Sequence, residues 1–161
     1  MRCQCGGTFK KTKLKRFDFT PFVGFPVTIE DVPGLKCDKG NEETLEGTVI
    51  DAALDQLALE VAHLPHALTG QHIKFLRKHL GLTQEKLAER LGLDRRETVA
   101  DWETGSGASP AYDYILRALA MSAVATKRAR QIEPAELNQS VRRKPAPKRA
   151  ARLVIGKVRA A

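Results

Sequence analysis

The chain has 161 residues, a formal net charge of +8, 42% hydrophobic residues and three cysteines. That length suits one domain with extensions or two small ones, and no run approaches the roughly 18 apolar residues of a membrane span. No apolar stretch follows the opening MRCQCGG, so it does not read as a secretory signal, and the expected location is cytoplasmic.

Residues 1–40 hold all three cysteines and a basic run from Lys10 to Arg16. Phe17 and Phe19 alternate, as do Val27 and Ile29, and Pro21, Gly24, Pro26, Pro33 and Gly34 punctuate them, which predicts short strands. A segment with so little apolar material needs a staple. Cys3-Gln4-Cys5-Gly6-Gly7 offers one metal knuckle, and Cys37 begins a second, with Gly40 where a fourth cysteine would complete a tetrahedral zinc set. Cys3, Cys5 and Cys37 are the expected zinc ligands, with Asp38, His63, His66 or a water as fourth. The alternative is a relic site held by packing alone. The Lys10–Arg16 run reads as a solvated strand face, or as a contact for DNA or an acidic partner.

Residues 41–66 are acidic, with Glu42, Glu43, Glu46, Asp51, Asp55 and Glu60. Val49, Ala53, Leu57 and Val61 recur every four residues, which predicts an amphipathic linker helix closed by Pro65.

Residues 67–122 read as a helical domain. Ile73, Leu76 and Leu80 give its first helix an inward stripe. Thr83 opens a short helix, Gln84 to Leu91, with Leu87, Ala88 and Leu91 on its apolar face, and Gly92 breaks it. Asp94 is the expected N-cap of the next helix, with Glu97 completing a capping box and Val99 and Trp102 buried. Two short helices joined by a tight turn make a helix-turn-helix, which presents the start of its second helix to the DNA major groove. Ser109 caps a later helix that begins at Pro110. Tyr114, Ile115, Ala118 and Leu119 are its expected buried side, and Tyr112, Leu116 and Met121 its candidate dimer surface. His72 and His79 read as ordinary polar residues and not as ligands.

Residues 123–161 are expected to form a short helix, through Ala123–Gln131, and then a basic flexible tail. Arg142, Arg143, Lys144, Lys148, Arg149, Arg152, Lys157 and Arg159 carry eight positive charges with no acid among residues 138–161, so residues 1–137 balance to zero. Such a tail attracts phosphate non-specifically or simply solubilises the chain.

The run LRKHLGLTQEKLAERLGL, followed by TVADWETG, resembles the Cro/lambda-repressor-like (XRE) family across residues 69–120. The resemblance implies an all-α five-helix DNA-binding domain with an Arg77–Glu103 ion pair. It also implies phosphate contacts from Thr83 and Gln84, and places Arg95, Arg96 and Thr98 at the groove-facing start of the recognition helix. Gly92 to Val99 is seven residues where the family usually has six, so the turn or helix start carries one extra. Asp101 stands where a basic or amide side chain is common. With the cysteine segment ahead of it, and VTIEDVPGLKC before the third cysteine, the layout resembles the YgiT/MqsA type of antitoxin and transcriptional regulator. That resemblance implies a toxin-binding zinc module and a dimer on an operator palindrome, although the four-cysteine set is not matched.

The expected fold class is α+β: a zinc-ribbon-like β module (1–40), an acidic linker helix (41–66), a helix-turn-helix domain (67–122) and a basic tail. The expected function is a sequence-specific regulator that binds double-stranded DNA as a homodimer, most simply a repressor. The alternatives are an antitoxin-like module that sequesters a toxin protein through residues 1–66, and a zinc- or redox-responsive sensor. No catalytic triad, phosphate-binding glycine loop or paired-carboxylate site is present, and Ser106 has no strand before it to make a nucleophile elbow. An enzyme is therefore not expected.

Overall fold

The computed structural model describes residues 3–127 and 153–155. It divides into two compact units, residues 1–56 with 151–161, and residues 57–150. The architecture is α+β.

The first unit is built on a long antiparallel hairpin. Strand β1 (Phe9–Asp18) pairs with β2 (Val27–Cys37), setting Phe9 opposite Cys37 and Phe17 opposite Ile29. A four-residue helix, α1 (Thr20–Val23), joins them. Strands β3 (Glu43–Thr44) and β4 (Leu153–Ile155) take the other edge of β2, antiparallel and parallel respectively. Being central, β2 buries Val27, Thr28, Ile29, Val32, Leu35 and Cys37, whereas β1 buries only Leu14 and exposes Lys10, Lys11, Lys13, Lys15 and Arg16. Lysines on an edge strand are a common guard against further strand pairing.

Strand β4 corrects the expectation that all of residues 138–161 form a mobile tail. Leu153-Val154-Ile155 is a short apolar run, with good strand formers, inside the basic segment. Its Leu153 N–H donates to the Pro26 carbonyl at 3.0 Å, and Ile155 is buried. Net charge, summed over the whole segment, concealed it. The eight basic residues of that segment lie outside the described residues.

Helix α2 spans Gly47–Ala62, shorter than the 41–66 span of the expected linker because Glu43 and Thr44 join the sheet. Val49, Ala53, Leu57 and Val61 are all buried, as their four-residue spacing predicts. The division between the two units falls inside this helix, after Gln56.

The second unit continues with α3 (Gly70–His79), α4 (Gln84–Arg90), α5 (Glu97–Asp101), a π-helical turn over Trp102–Ser106, and α6 (Pro110–Lys127). Its core is Ile73, Leu76, Leu87, Ala88, Val99, Trp102, Leu116, Ala120, Met121 and Val124. Thr69 caps α3 reciprocally: its hydroxyl accepts from the His72 N–H, and His72 Nδ1 accepts from the Thr69 N–H.

Helix α6 departs from expectation twice. It runs unbroken to Lys127, so no separate helix begins at Ala123, and residues 128–131 lie outside the described residues. Its faces are also exchanged. Leu116 and Met121 are buried, while Ile115 is 39% exposed and Tyr114, Ala118 and Leu119 are half-buried. The cause is a buried ion pair. Arg117 and Asp113, one turn apart, share the inward face with Leu116 and Ala120. Arg117 donates to Asp113 and to the carbonyls of Val61, Ala62 (2.9 Å), Leu64 and His66 (2.8 Å). Asp113 also accepts from the Leu68 N–H at 2.7 Å. One guanidinium thereby gathers carbonyls from the last turn of α2 and the chain that follows it. Hydrophobic periodicity alone turns such a helix with its charges outward.

Candidate nucleic-acid interface

The helix-turn-helix begins at Thr83. Its backbone is extended, its side chain accepts from the Lys86 N–H at 3.1 Å, and α4 starts at Gln84 as expected. After Arg90 the chain turns through Gly92 at φ +66°, a conformation that glycine adopts without steric cost. The Leu93 N–H then returns to the Ala88 carbonyl at 2.9 Å.

The next helix does not begin at Asp94. Helix α5 starts at Glu97, with Arg96 at the N-cap in helical conformation and no side-chain cap bond, so the expected capping box is absent. Val99 stands seven residues after Gly92, and the structure leaves Asp94, Arg95 and Arg96 ahead of the helix. Glu97 falls in the first turn. Its carboxyl is held below the usual range, first by its own N–H and then by Arg96. Arg95 and Arg96 are both exposed, and Arg96 Nε lies 3.2 Å from Glu97 Oε1. Thr98 is half-buried on the first turn of α5, and Val99 and Trp102 point into the core.

A polar clamp ties these elements together. Arg77, on α3, donates from Nε to Glu103 Oε1 at 2.5 Å and from Nη2 to Oε2 at 3.0 Å. Its Nη1 reaches the Leu82 carbonyl at 2.8 Å. The ion pair implied by the family resemblance is therefore present, with side chains only 11% and 4% exposed. Gln84 joins it, Nε2 donating to Glu103 Oε2 at 2.8 Å. Burial raises the Glu103 pKa, but the hydrogen bonds from Arg77 and Gln84 outweigh it and leave the carboxyl below its ordinary value. Gly70 lets the π turn approach: a Cβ there would collide with the Glu103 carbonyl and lie 2.7 Å from that of Trp102. Of the residues expected to meet DNA, Thr83, Arg95 and Arg96 are exposed and Gln84 and Thr98 half-buried, with the Gln84 amide already engaged.

The first unit holds the other cluster. Cys3, Cys5 and Cys37 are free thiols whose sulfurs all lie within 4.8 Å of one another, a donor set that could hold a metal ion. Cys5 Sγ is 3.1 Å from Cys3 Sγ and 3.3 Å from Cys37 Sγ. The expected substitutes for a fourth ligand each make a bond of their own. Asp38 accepts from the Thr8 N–H at 2.8 Å, while His63 and His66 bond the Leu59 and Ala67 carbonyls within the second unit. Glu42 is the residue the sequence reading missed: Cys3 Sγ donates to its Oε2 at 2.8 Å. That bond, first among several causes, pushes the Cys3 thiol up to about 12. The Lys39 N–H, by contrast, lowers that of Cys37. The one clue in the sequence was the short Cys37–Glu42 loop, closed by a bond from the Cys37 N–H to the Glu42 carbonyl.

Among the described residues no helix is long and apolar enough to cross a membrane. No curated protein and no solved structure matches the chain. Residues 73–120 do match a family model described as helix-turn-helix. The clamp, the turn and the match coincide on one stretch of chain, and residues 73–120 are a helix-turn-helix domain of the XRE type, the module of a DNA-binding regulator.

Proposed function

We propose that this protein is a homodimeric, sequence-specific DNA-binding repressor. The observation that carries the reading is the helix-turn-helix at residues 73–120, with α3, α4 and the end of the recognition helix locked by Arg77, Gln84 and Glu103. Such locking holds the reading residues in one geometry before DNA arrives, which limits the ordering cost of binding. Arg95 and Arg96 reach guanine edges or phosphates from the turn before α5, and Thr98 meets a base edge or a thymine methyl. Thr83 contacts phosphate through its hydroxyl. Gln84 does so through its main-chain amide, since its side chain serves the clamp.

For the dimer, the apolar strip Ile115, Ala118 and Leu119 on the outer side of α6 is the surface for a second copy. It takes the place of Tyr112, Leu116 and Met121, two of which lie in the core. A two-fold dimer reads two half-sites about one helical turn apart and represses by occupying them.

Selection from a pool of random duplexes tests this reading. Enrichment of a palindrome with half-sites spaced about 10 base pairs is expected. Ile115→Glu should sediment as a monomer and bind the full site no better than a half-site. A pool that stays random after repeated rounds would refute sequence-specific binding, and an Ile115→Glu chain that remains dimeric would refute this interface.

A further inference from the structure

Three cysteines make an incomplete zinc set, and the loop that should supply the fourth ligand has glycine there. An ideal Cβ at Gly40 would lie 3.5 Å from Cys5 Sγ and 3.8 Å from Cys37 Sγ. Position 40 therefore borders the sulfurs but offers them no donor atom. Two residues on, Glu42 projects a carboxylate oxygen to 2.8 Å from Cys3 Sγ. The four groups form a chain of contacts, Glu42 to Cys3 to Cys5 to Cys37.

We propose that Cys3, Cys5, Cys37 and Glu42 form a zinc site with three thiolates and one carboxylate, Glu42 having taken over the corner that Gly40 cannot fill. The donor set suits zinc, which accepts sulfur and carboxylate oxygen together in a tetrahedron. The dimensions suit it as well. Zinc–sulfur bonds of about 2.3 Å at tetrahedral angles separate sulfurs by about 3.8 Å. The observed 3.1 and 3.3 Å contacts need to open by only about half an ångström or a little more. The backbone already fixes both knuckles. The Gly6 N–H bonds the Cys3 carbonyl, the Cys3 N–H bonds the Gly7 carbonyl, and the Cys37 N–H bonds the Glu42 carbonyl. The Asp38 N–H to the Thr8 carbonyl, and the Thr8 N–H to Asp38 Oδ1, tie one knuckle to the other. Binding releases the protons of the coordinating thiols to solvent, with no change of oxidation state. The ion would supply the staple that this small sheet needs.

The test uses the full chain, reduced and stripped of metal, titrated with zinc and separately with cobalt(II) as an optical probe. Metal content by mass spectrometry should reach one zinc per chain. The cobalt adduct should show thiolate-to-metal charge transfer and the intense visible bands of a tetrahedral site. Glu42→Gln should keep the far-ultraviolet circular dichroism of the wild type. Its zinc affinity should fall by at least the roughly 10–100-fold that loss of even an outer-shell partner costs. Adding Gly40→Cys to Glu42→Gln should restore affinity and strengthen the charge-transfer band by one thiolate. A wild-type chain that takes up no stoichiometric zinc would overturn the proposal. So would a Glu42→Gln chain with unchanged affinity and an unchanged cobalt spectrum. None of these readouts involves DNA, so they stand or fall separately from the repressor reading.

Discussion

At the scale of single residues, Glu103 is the shared acceptor of the helix-turn-helix clamp, accepting from Arg77 and Gln84 at once. Removing one partner of a buried ion pair strands the other, at a cost of about 3–5 kcal/mol. Glu103→Ala should therefore shift the urea midpoint far below that of the wild type. Unchanged stability would show that the clamp contributes nothing. The Arg77–Glu103 pair was legible through the family resemblance because it is a feature of the motif. The role of Gln84 was not, because a surface-helix amide gives no sign in sequence of which neighbour it will face. Glu42 was hidden for the same reason, standing in an acidic stretch that reads as solvated.

His72 gives a pH signature at the same scale. Burial, and then the charges of His66 and Arg117, depress its pKa from 6.5 to about 4. Between those values the unfolded chain binds more protons than the folded one, so stability rises with pH there. The contribution is complete above about 6.5 and is lost as pH falls toward 4, by at most about 3 kcal/mol. Denaturant titrations at pH 7 and pH 5 should show the loss, and His72→Gln, which can still accept from the Thr69 N–H, should flatten it. A His72→Gln profile as steep as the wild type's would assign the effect to another group.

At the scale of elements, α6 is the instructive case. The sequence predicts its start at Pro110 and its helical nature, yet exchanges its faces. A charged pair at i and i+4 normally marks the solvent side, whereas Asp113 and Arg117 mark the inside because the backbone of residues 61–68 supplies their partners. Contacts that distant in sequence leave no periodic trace. Arg117→Met should cost about 3–5 kcal/mol, since it leaves Asp113 buried without its ion-pair partner and takes the guanidinium away from four carbonyls. Hydrogen exchange should show the Leu68 amide losing protection first, because its acceptor is Asp113. Protection that persists at Leu68 while the rest of the domain opens would contradict this link. Helix α5 is the converse case. Counting seven residues from Gly92 to Val99 left open where the helix begins, and only the backbone shows that it starts at Glu97, without an Asp94 cap.

At the scale of the whole molecule, the thiol cluster lies in one unit and the helix-turn-helix in the other. Periodicity located α2, and the spacing of cysteines located the thiol cluster, because both are local patterns. The parallel pairing of Leu153–Ile155 with Val27–Ile29 joins segments more than a hundred residues apart, and a charge-rich context masked it. The central claim belongs to the second unit: residues in and after the turn before α5 read DNA sequence. Fluorescence anisotropy on a selected duplex and its scrambled counterpart, across a salt series, tests it most directly. The wild type should prefer the selected duplex by about 10³-fold or more at physiological salt. An Arg95→Ala/Arg96→Ala chain of unchanged fold should lose most of that preference while keeping part of its salt-dependent, non-specific affinity. Equal affinity of the wild type for both duplexes, or a double variant that discriminates as well as the wild type, would contradict the account.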